Sequence, residues 1–365
     1  MALSIGIVGL PNVGKSTLFN ALTKKSVPAE NFPFCTIDPS VGVVAVPDER
    51  LYKLAEFSQT KKTIPAAVEF VDIAGLVKGA SDGEGLGNKF LSNIRETDAI
   101  AHVVRIFDNS NILHVENAVD PLRDLEVINL ELALADLDTV TKRIGNLERD
   151  VKKGVKEAVV EQDALKKIEP ALLQGMLARQ VPLTEDEAKL IRLLNLLTMK
   201  PMLYVLNKQS GGQNLDEITD GRFERLMQFM KTTNSQYVTV DANIEQELRD
   251  LHADDKVEFR REYGVFDDGV NALIRGGYDL LNLISYFTTG VEETRAWTIK
   301  RGSTAPEAGT AIHNDFKTKF IRAEIIEWDK LIEAGSYAKA RELGLVRTEG
   351  KEYIVKDGDV IEFKI

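Results

Sequence analysis

Cysteine is nearly absent from this chain of 365 residues: Cys35 stands alone. No disulfide can form within the chain, which excludes a small disulfide-stapled fold and fits a reducing, cytoplasmic setting. Histidine is scarce as well, at four residues, and His102, His252 and His313 show no metal-ligand spacing. The first apolar stretch, residues 2–8, is too short and too glycine-punctuated for a signal peptide or a membrane span, and no basic flank precedes it. No membrane role is expected. Repeats and low-complexity segments are absent. Positive charge is in deficit, with 46 Lys and Arg against 57 Asp and Glu and a net charge of −11. That balance argues against a protein coated for nucleic acid. The acid is uneven, however: residues 142–200 carry 12 basic against 9 acidic side chains. A local basic face there can still touch RNA, although a solvated helix face is the simpler account. What remains is 44% hydrophobic and 28% charged residues, an ordinary globular composition with length enough for two or three domains.

Against these absences one stretch stands out: Gly9-Leu10-Pro11-Asn12-Val13-Gly14-Lys15-Ser16. It fits G-x-x-x-x-G-K-[ST], the phosphate-binding loop, and lies between an apolar strand-like run and the helix-like start Thr17-Leu18-Phe19-Asn20. Gly9 and Gly14 let the backbone bend so that its N–H groups converge on phosphate oxygens, and the helix start adds partial positive charge. Asn12, Val13, Gly14, Lys15, Ser16 and Thr17 are the expected phosphate contacts. Lys15 is placed to reach the β- and γ-phosphates, and the Ser16 hydroxyl to ligate Mg²⁺.

Further along, strand-like runs at 41–46, 66–72, 99–107, 202–207 and 237–240 alternate with helical stretches, among them one to Phe57 and one at 88–96. This alternation predicts a mostly parallel sheet covered on both faces. From about residue 123 the pattern changes. Val127, Leu130, Leu134, Leu137, Thr141, Ile144 and Val151 fall on alternating three- and four-residue steps, a heptad seam with only Glu148 out of place and charge on the other faces. A second helical stretch covers about 155–178, with Pro170 expected to start, kink or end a helix. Thr184-Glu185-Asp186-Glu187 opens a third, expected to run through Thr198. The seam points to an antiparallel helical arm inserted in the α/β unit rather than helices laid on the sheet. Residues 245–262 read as helical and polar. Strand candidates at 297–300, 320–326, 353–355 and 360–363 make a small mixed α+β unit at the end.

Other pieces narrow the chemistry. Asp72-Ile73-Ala74-Gly75 ends a strand, which places Asp72 to hold Mg²⁺ and the Gly75 N–H to meet the γ-phosphate. Thr36, in a loop between the phosphate loop and Asp72, is the candidate threonine ligand of Mg²⁺; Cys35 beside it reads as a small buried residue. Two residues that a Ras-like site needs are missing. The position after the D-x-x-G glycine, normally a water-orienting Gln, is Leu76. The base loop reads Asn207-Lys208-Gln209-Ser210, with serine where a guanine-reading Asp belongs. Asn207 and Lys208 are the candidate base contacts. Without the acid, adenine becomes a plausible partner, since its amino group and ring nitrogens can pair with Asn207 and the backbone.

The segments GLPNVGKSTLFNALT at 9–23, NFPFCTIDP at 31–39, DIAGLVKGASDGEGLGNKFL at 72–91 and HVENAVDPLRDLEVI at 114–128 resemble the YchF family, the Obg-like ATPases of the P-loop GTPases. GTAIHNDFKTKFIRAE at 309–324 is similar to a TGS domain, a β-grasp fold. The resemblance implies an α/β P-loop NTPase (GTPase-like) domain at 1–122 plus 201–278, an inserted antiparallel helical arm at 123–200, and a C-terminal TGS domain at 279–365. It implies a slow regulatory ATPase that prefers ATP over GTP, uses Mg²⁺ and associates with the ribosome or a ribosomal subunit, or with RNA, through the arm and the TGS domain. It points to His114, with Lys15, as the catalytic group, His114 replacing the missing Gln. An imidazole titrates near neutrality and can orient or deprotonate water. Asn12 resembles the asparagine that binds K⁺ in cation-activated relatives. Relatives read Asn-x-x-Glu at the base loop, so Ser210 is a departure. An Obg-type GTPase with a relaxed base site, or a nucleotide-gated binding module, are the competing expectations.

Overall fold

Short apolar runs, broken by glycine and polar turns, build two six-stranded sheets and a helical projection. The computed structural model describes residues 3–23, 40–73, 87–109, 112, 118–248, 251, 255, 258–259 and 268–365. Thr36 and Cys35, Gly75 and Leu76, His114, His252 and part of the polar stretch 245–262 lie outside the described residues.

In chain order the elements begin with β1 (Ser4–Val8), α1 (Lys15–Thr23), β2 (Val41–Ala45), α2 (Glu49–Phe57), β3 (Lys62–Ile64) and β4 (Ala67–Asp72). Next come α3 (Asn88–Glu96), β5 (Ala99–Arg105), β6 (Phe107–Asp108), α4 (Pro121–Lys152), α5 (Lys156–Leu173) and α6 (Glu185–Arg192). Then follow β7 (Met202–Asn207), β8 (Gln213–Asn214), α7 (Arg222–Thr232), β9 (Gln236–Val240), α8 (Ala242–Glu247) and α9 (Gly269–Leu280). The C-terminal part holds β10 (Leu283–Thr288), β11 (Glu293–Lys300), α10 (Ala305–Gly309), α11 (Asp315–Lys319), β12 (Arg322–Glu327), α12 (Trp328–Ala334), α13 (Tyr337–Glu342), β13 (Arg347–Glu349) and β14 (Asp359–Lys364).

The first sheet has the order β2-β4-β1-β5-β7-β9. All its pairings are parallel except β2 with β4. Strands β5 and β7 are buried along their whole length, as central parallel strands covered on both faces must be. On one face Ile5 and Ile7 pack with Leu18 and Leu22 of α1 and Leu273 and Ile274 of α9. On the other, Ile100 and Val104 pack with Ile94 of α3, Leu125, Ile128 and Leu132 of α4, and Leu226 and Met230 of α7.

Helix α4 corrects the heptad expectation. Its first half lies on the sheet, using the 125/128/132 face, so Val127, Leu130 and Leu134 point away and are 38, 48 and 50% exposed. Only its far half forms an arm with α5. There Val140 and Leu147 pack on Ala158, Leu165 and Ile168, with Leu137, Ile144 and Val151 alongside. Arg143 donates two hydrogen bonds to Glu161 (2.6 and 2.8 Å), and Thr141 donates to Glu169 (2.9 Å), fixing the antiparallel register. One 32-residue helix therefore serves two cores, and a seam read at a single phase cannot describe both.

Three smaller expectations also change. Pro170 sits inside α5, in its last turn, where the missing N–H forfeits one bond and the helix continues to Leu173. The capping box at Thr184 and Glu187 forms, but α6 stops at Arg192 rather than Thr198. Asn195 takes a left-handed φ of 47°, and the following turn is bound by the buried carboxylate of Asp136, which accepts from Leu197 N, Thr198 N and the Thr198 hydroxyl. Residues 353–355 form no strand: Ile354 makes an isolated bridge to Thr304, and the Lys356 N–H turns back onto Asp359.

The second sheet has the order β13-β12-β14-β10-β11-β3. Its edge strand β3 comes from residues 62–64, far back in the chain, and pairs in parallel with β11. Arg50 of α2 reaches the same sheet, bonding Asp357 (2.6 Å) while held by Asp48 (2.8 Å). One apolar core runs from Ile5 through Leu51 to Phe287 and Val360.

Candidate functional site

The site lies at the carboxyl edge of the parallel sheet, where open α/β folds bind ligands. The loop after β1 turns through three left-handed residues: Gly9 (φ 155°), Asn12 (62°) and Gly14 (97°). At Gly14 a side chain would collide with the Asn207 amide, so glycine is required there by space as well as by φ. Asparagine tolerates the left-handed region, which suits Asn12 to the exposed apex of the loop. Val13 is buried and anchors the loop, Ser16 is exposed in the first turn of α1, and Thr17 is half-buried beside it.

The Lys15 ammonium folds back onto the loop and donates to the Leu10 carbonyl (2.6 Å). Burial lowers its pKa to about 8, against the attraction of Asp72, which acts to raise it. Asp72 is itself buried, ends β4 beside Ile7 of β1, and receives its backbone position from an N–H bond to the Ser40 carbonyl (2.8 Å). The structure thus brings Lys15, Ser16 and Asp72 to one edge. Among the described residues no group of three or more His, Cys, Asp or Glu forms a metal cluster.

The base loop follows β7. Asn207 is buried, and both ends of its amide are engaged: Nδ2 donates to the Val13 carbonyl (2.9 Å) and Oδ1 accepts from Ala242 N (3.0 Å). That single side chain joins the phosphate loop, the base loop and the turn after β9. Lys208 Nζ donates to Asp216 (2.8 Å) and Glu217 (3.1 Å). Burial opposes its charge, but those two hydrogen bonds hold the ammonium above the usual lysine range. Gln209 N donates to Asn214 Oδ1 (2.9 Å), and Ser210 N donates to Asp241 Oδ2 (2.5 Å).

Two residues here escape sequence reading. Arg105 is 1% exposed at the end of β5 and gives its guanidinium to the carbonyls of Phe107 (2.9 Å), Asn109 (3.2 Å) and Ile112 (3.2 Å). Burial pulls it below the usual arginine range, with Asp108 and Asp124 opposing. It braces the chain leaving β5, which Asn109 ties to the base loop through Gln209 Oε1 (3.1 Å) and β6 through pairing with β8. A lone charge in an otherwise apolar strand was the available signal. Asp241 is the second; its signal was an acid directly after a strand. His102, in mid-strand, is buried beside Tyr204 with its pKa lowered to about 3, first by burial and then by Arg179 and Lys15. A neutral core histidine fits that environment.

The family model MMR_HSR1, described as 50S ribosome-binding GTPase, matches residues 4–136. The model YchF-GTPase_C, described as a protein of unknown function, matches residues 283–365. The Ribosome-binding ATPase YchF of Bacillus subtilis (strain 168) is 51% identical over 364 residues, covering 100% of this chain and 99% of the relative. Its namesake from Escherichia coli O157:H7 is 50% identical over 363 residues, with the same coverage. The solved structure of the Schizosaccharomyces pombe YchF GTPase superposes with a TM-score of 0.88 at 37% identity, covering 99% of this chain and 97% of that one.

Proposed function

The chain belongs to the YchF family, and from that membership we propose that it is a slow regulatory nucleoside triphosphatase which hydrolyses ATP in preference to GTP and changes its association with the ribosome as it does so. One observation carries this reading: a phosphate loop with Lys15 and Asp72 at one sheet edge lies in a chain that matches ribosome-binding ATPases from end to end. Asn12, Val13, Gly14, Lys15, Ser16 and Thr17, with the Gly75 N–H, hold the triphosphate. The N–H groups of the phosphate loop and the Lys15 charge would stabilise the negative charge that grows on phosphate oxygens during transfer.

The donor set suits Mg²⁺, which takes hard oxygen ligands and few of them from protein: a hydroxyl at Ser16 and a buried carboxylate at Asp72, with Thr36. Bound there, Mg²⁺ would neutralise charge on the β- and γ-phosphate oxygens. Asn12 at the loop apex is assigned to K⁺. His114 takes the water-orienting role that Leu76 cannot fill, and Arg105 steadies the segment leading toward it. The arm and the C-terminal sheet are assigned the ribosomal or RNA contact, which puts the protein in the cytoplasm.

The second reading, a GTPase with a relaxed base site, draws on Asn207-Lys208, which match the guanine loop at two positions. Competition between ATP and GTP for the purified protein decides it: GTP binding tenfold tighter, about 1.4 kcal/mol, would overturn the ATPase reading. Turnover of His114→Ala should fall by about 10²-fold or more; unchanged turnover removes His114 from hydrolysis. Co-sedimentation with ribosomes should differ between ATP- and ADP-loaded protein, and equal pelleting in both states would sink the switching role.

A further inference from the structure

The heptad seam of α4 is only half used. Leu137, Ile144 and Val151 lie alongside α5 in the arm. Val127, Leu130 and Leu134 continue the same seam toward the sheet, and all three are exposed. They stand on the side of the helix opposite Leu125, Ile128 and Leu132, which hold α4 on the sheet, so the sheet cannot cover them. The cover stops where α5 stops. Thr141 donates to Glu169, and one turn further along these antiparallel helices Leu137 comes level with Leu173, the last residue of α5. Leu173 is 68% exposed, and Met176 just beyond it 41%. The apolar row thus runs on for about 10 Å, roughly two turns, past the helix that buries its other half. Single exposed leucines need no explanation, whereas a row continuous with a helix–helix interface marks a place for another helix.

The flanks say what kind of helix fits. With Val127 and Leu134 at heptad position a and Leu130 and Leu137 at d, Glu126 falls at g, and Glu131 and Asp138 at e. Glu126 and Glu131 border the row on either side, and among the described residues no ion pair engages either one. Asp138 pairs with Lys142 (2.6 Å). Arg123, at the start of the row, turns its guanidinium onto Asp124 (2.9 Å) and the Ala118 carbonyl (2.6 Å). Charges at e and g choose the partner of a heptad seam. Carboxylates beside apolar knobs repel phosphate and attract Lys and Arg. RNA is therefore a poor occupant, and a basic amphipathic helix a good one.

We propose that Val127, Leu130 and Leu134 form the docking face for a basic amphipathic helix of a ribosomal protein, which takes up the α4 seam where α5 leaves it. This rests on the ribosome association proposed above and adds a protein contact at the root of the arm. The test is co-sedimentation of the full chain with purified ribosomes, in the nucleotide state in which the wild type pellets more strongly. Two double variants are compared with it: Leu130→Asp with Leu134→Asp, and Glu126→Lys with Glu131→Lys. None of the four side chains is buried, and an unchanged urea midpoint checks the fold of each variant. Affinity should fall by about tenfold in the leucine pair, which loses apolar anchors, and by about threefold or more in the glutamate pair, which then faces like charge. Both losses are required. Tighter binding of the lysine variant assigns the face to RNA and overturns the helix. A loss in only one pair overturns the basic helix as well. Unchanged affinity in both overturns the docking face and leaves ribosome association standing. A wild type that pellets with ribosomes in no state overturns that association, and the docking face falls with it. Sedimentation velocity of the free chain should show a monomer; a dimer abolished by the leucine pair gives the face to a second copy instead.

Discussion

Burial lowers the pKa of Lys15 from the usual 10.5 to about 8, disfavouring its charge more than Asp72 restores it. The sign of the consequence is definite. Between about 8 and 10.5 the unfolded chain binds this proton and the folded chain does not, so this group adds stability as pH rises through that window. Phosphate affinity moves the other way, since a neutral amine no longer meets the triphosphate and binding must take up a proton. The dissociation constant of ATP should rise by about tenfold per pH unit above pH ~8, and the slope should vanish in Lys15→Ala. Titrations between pH ~7 and ~9.5 check this; a flat wild-type profile counts against a depressed lysine. Lys15, Ser16 and Asp72 were legible as sequence because their spacing is the motif. Arg105 and Asp241 were not. Arg105 acts on three carbonyls up to seven positions away, and Asp241 acts on a backbone N–H 31 positions away, so no local pattern carries either one.

Among the elements, α4 shows how periodicity misleads. A three-and-four spacing is present on more than one face of a 32-residue helix, and the buried face is decided by what the rest of the chain brings to it. Leu132 is fully buried on the sheet, whereas Leu134, two residues on, is half exposed. Leu132→Ala should cost about 3 kcal/mol and Leu134→Ala under about 0.5 kcal/mol in denaturant unfolding. The reverse order would restore the 127/130/134 seam. The strands of the first sheet, by contrast, were legible from short apolar runs between breakers. The root of the arm was not: it is fastened by Asp136 to the turn at 197–198, and by the buried Lys200, which donates to the carbonyls of Arg95 and Thr97 at the end of α3. Burial pulls that ammonium below the usual lysine range, with Asp98 and Asp136 opposing. The helix that follows residues 72–87 is thereby joined to the arm by side-chain bonds that spacing does not encode.

At the scale of the whole molecule, the two sheets share a core, and the second takes its edge strand from the N-terminal part of the chain. The chain has only two tryptophans, Trp297 and Trp328, and both belong to the C-terminal part. Because Ile5, Leu51, Phe287 and Val360 pack in one cluster, ligand bound at the phosphate loop should protect those tryptophans as well. Their fluorescence melt should rise together with far-ultraviolet circular dichroism when Mg·ATP is added; a shift in ellipticity alone would show the two parts unfolding independently. The division of the chain into successive segments placed residues 62–64 with the first unit, yet β3 completes the second sheet. The shared seam also carries the Lys61–Glu292 pair, whose partners stand 231 positions apart. During synthesis the N-terminal half of that seam leaves the ribosome first, and the arm must be made before its partner strand exists. Until residue 295 has emerged, β3 is an unpaired edge. A message cut short, or a pause within the arm, would therefore release chains with a strand ready to pair with one another, so protection from aggregation comes only with the last quarter of translation.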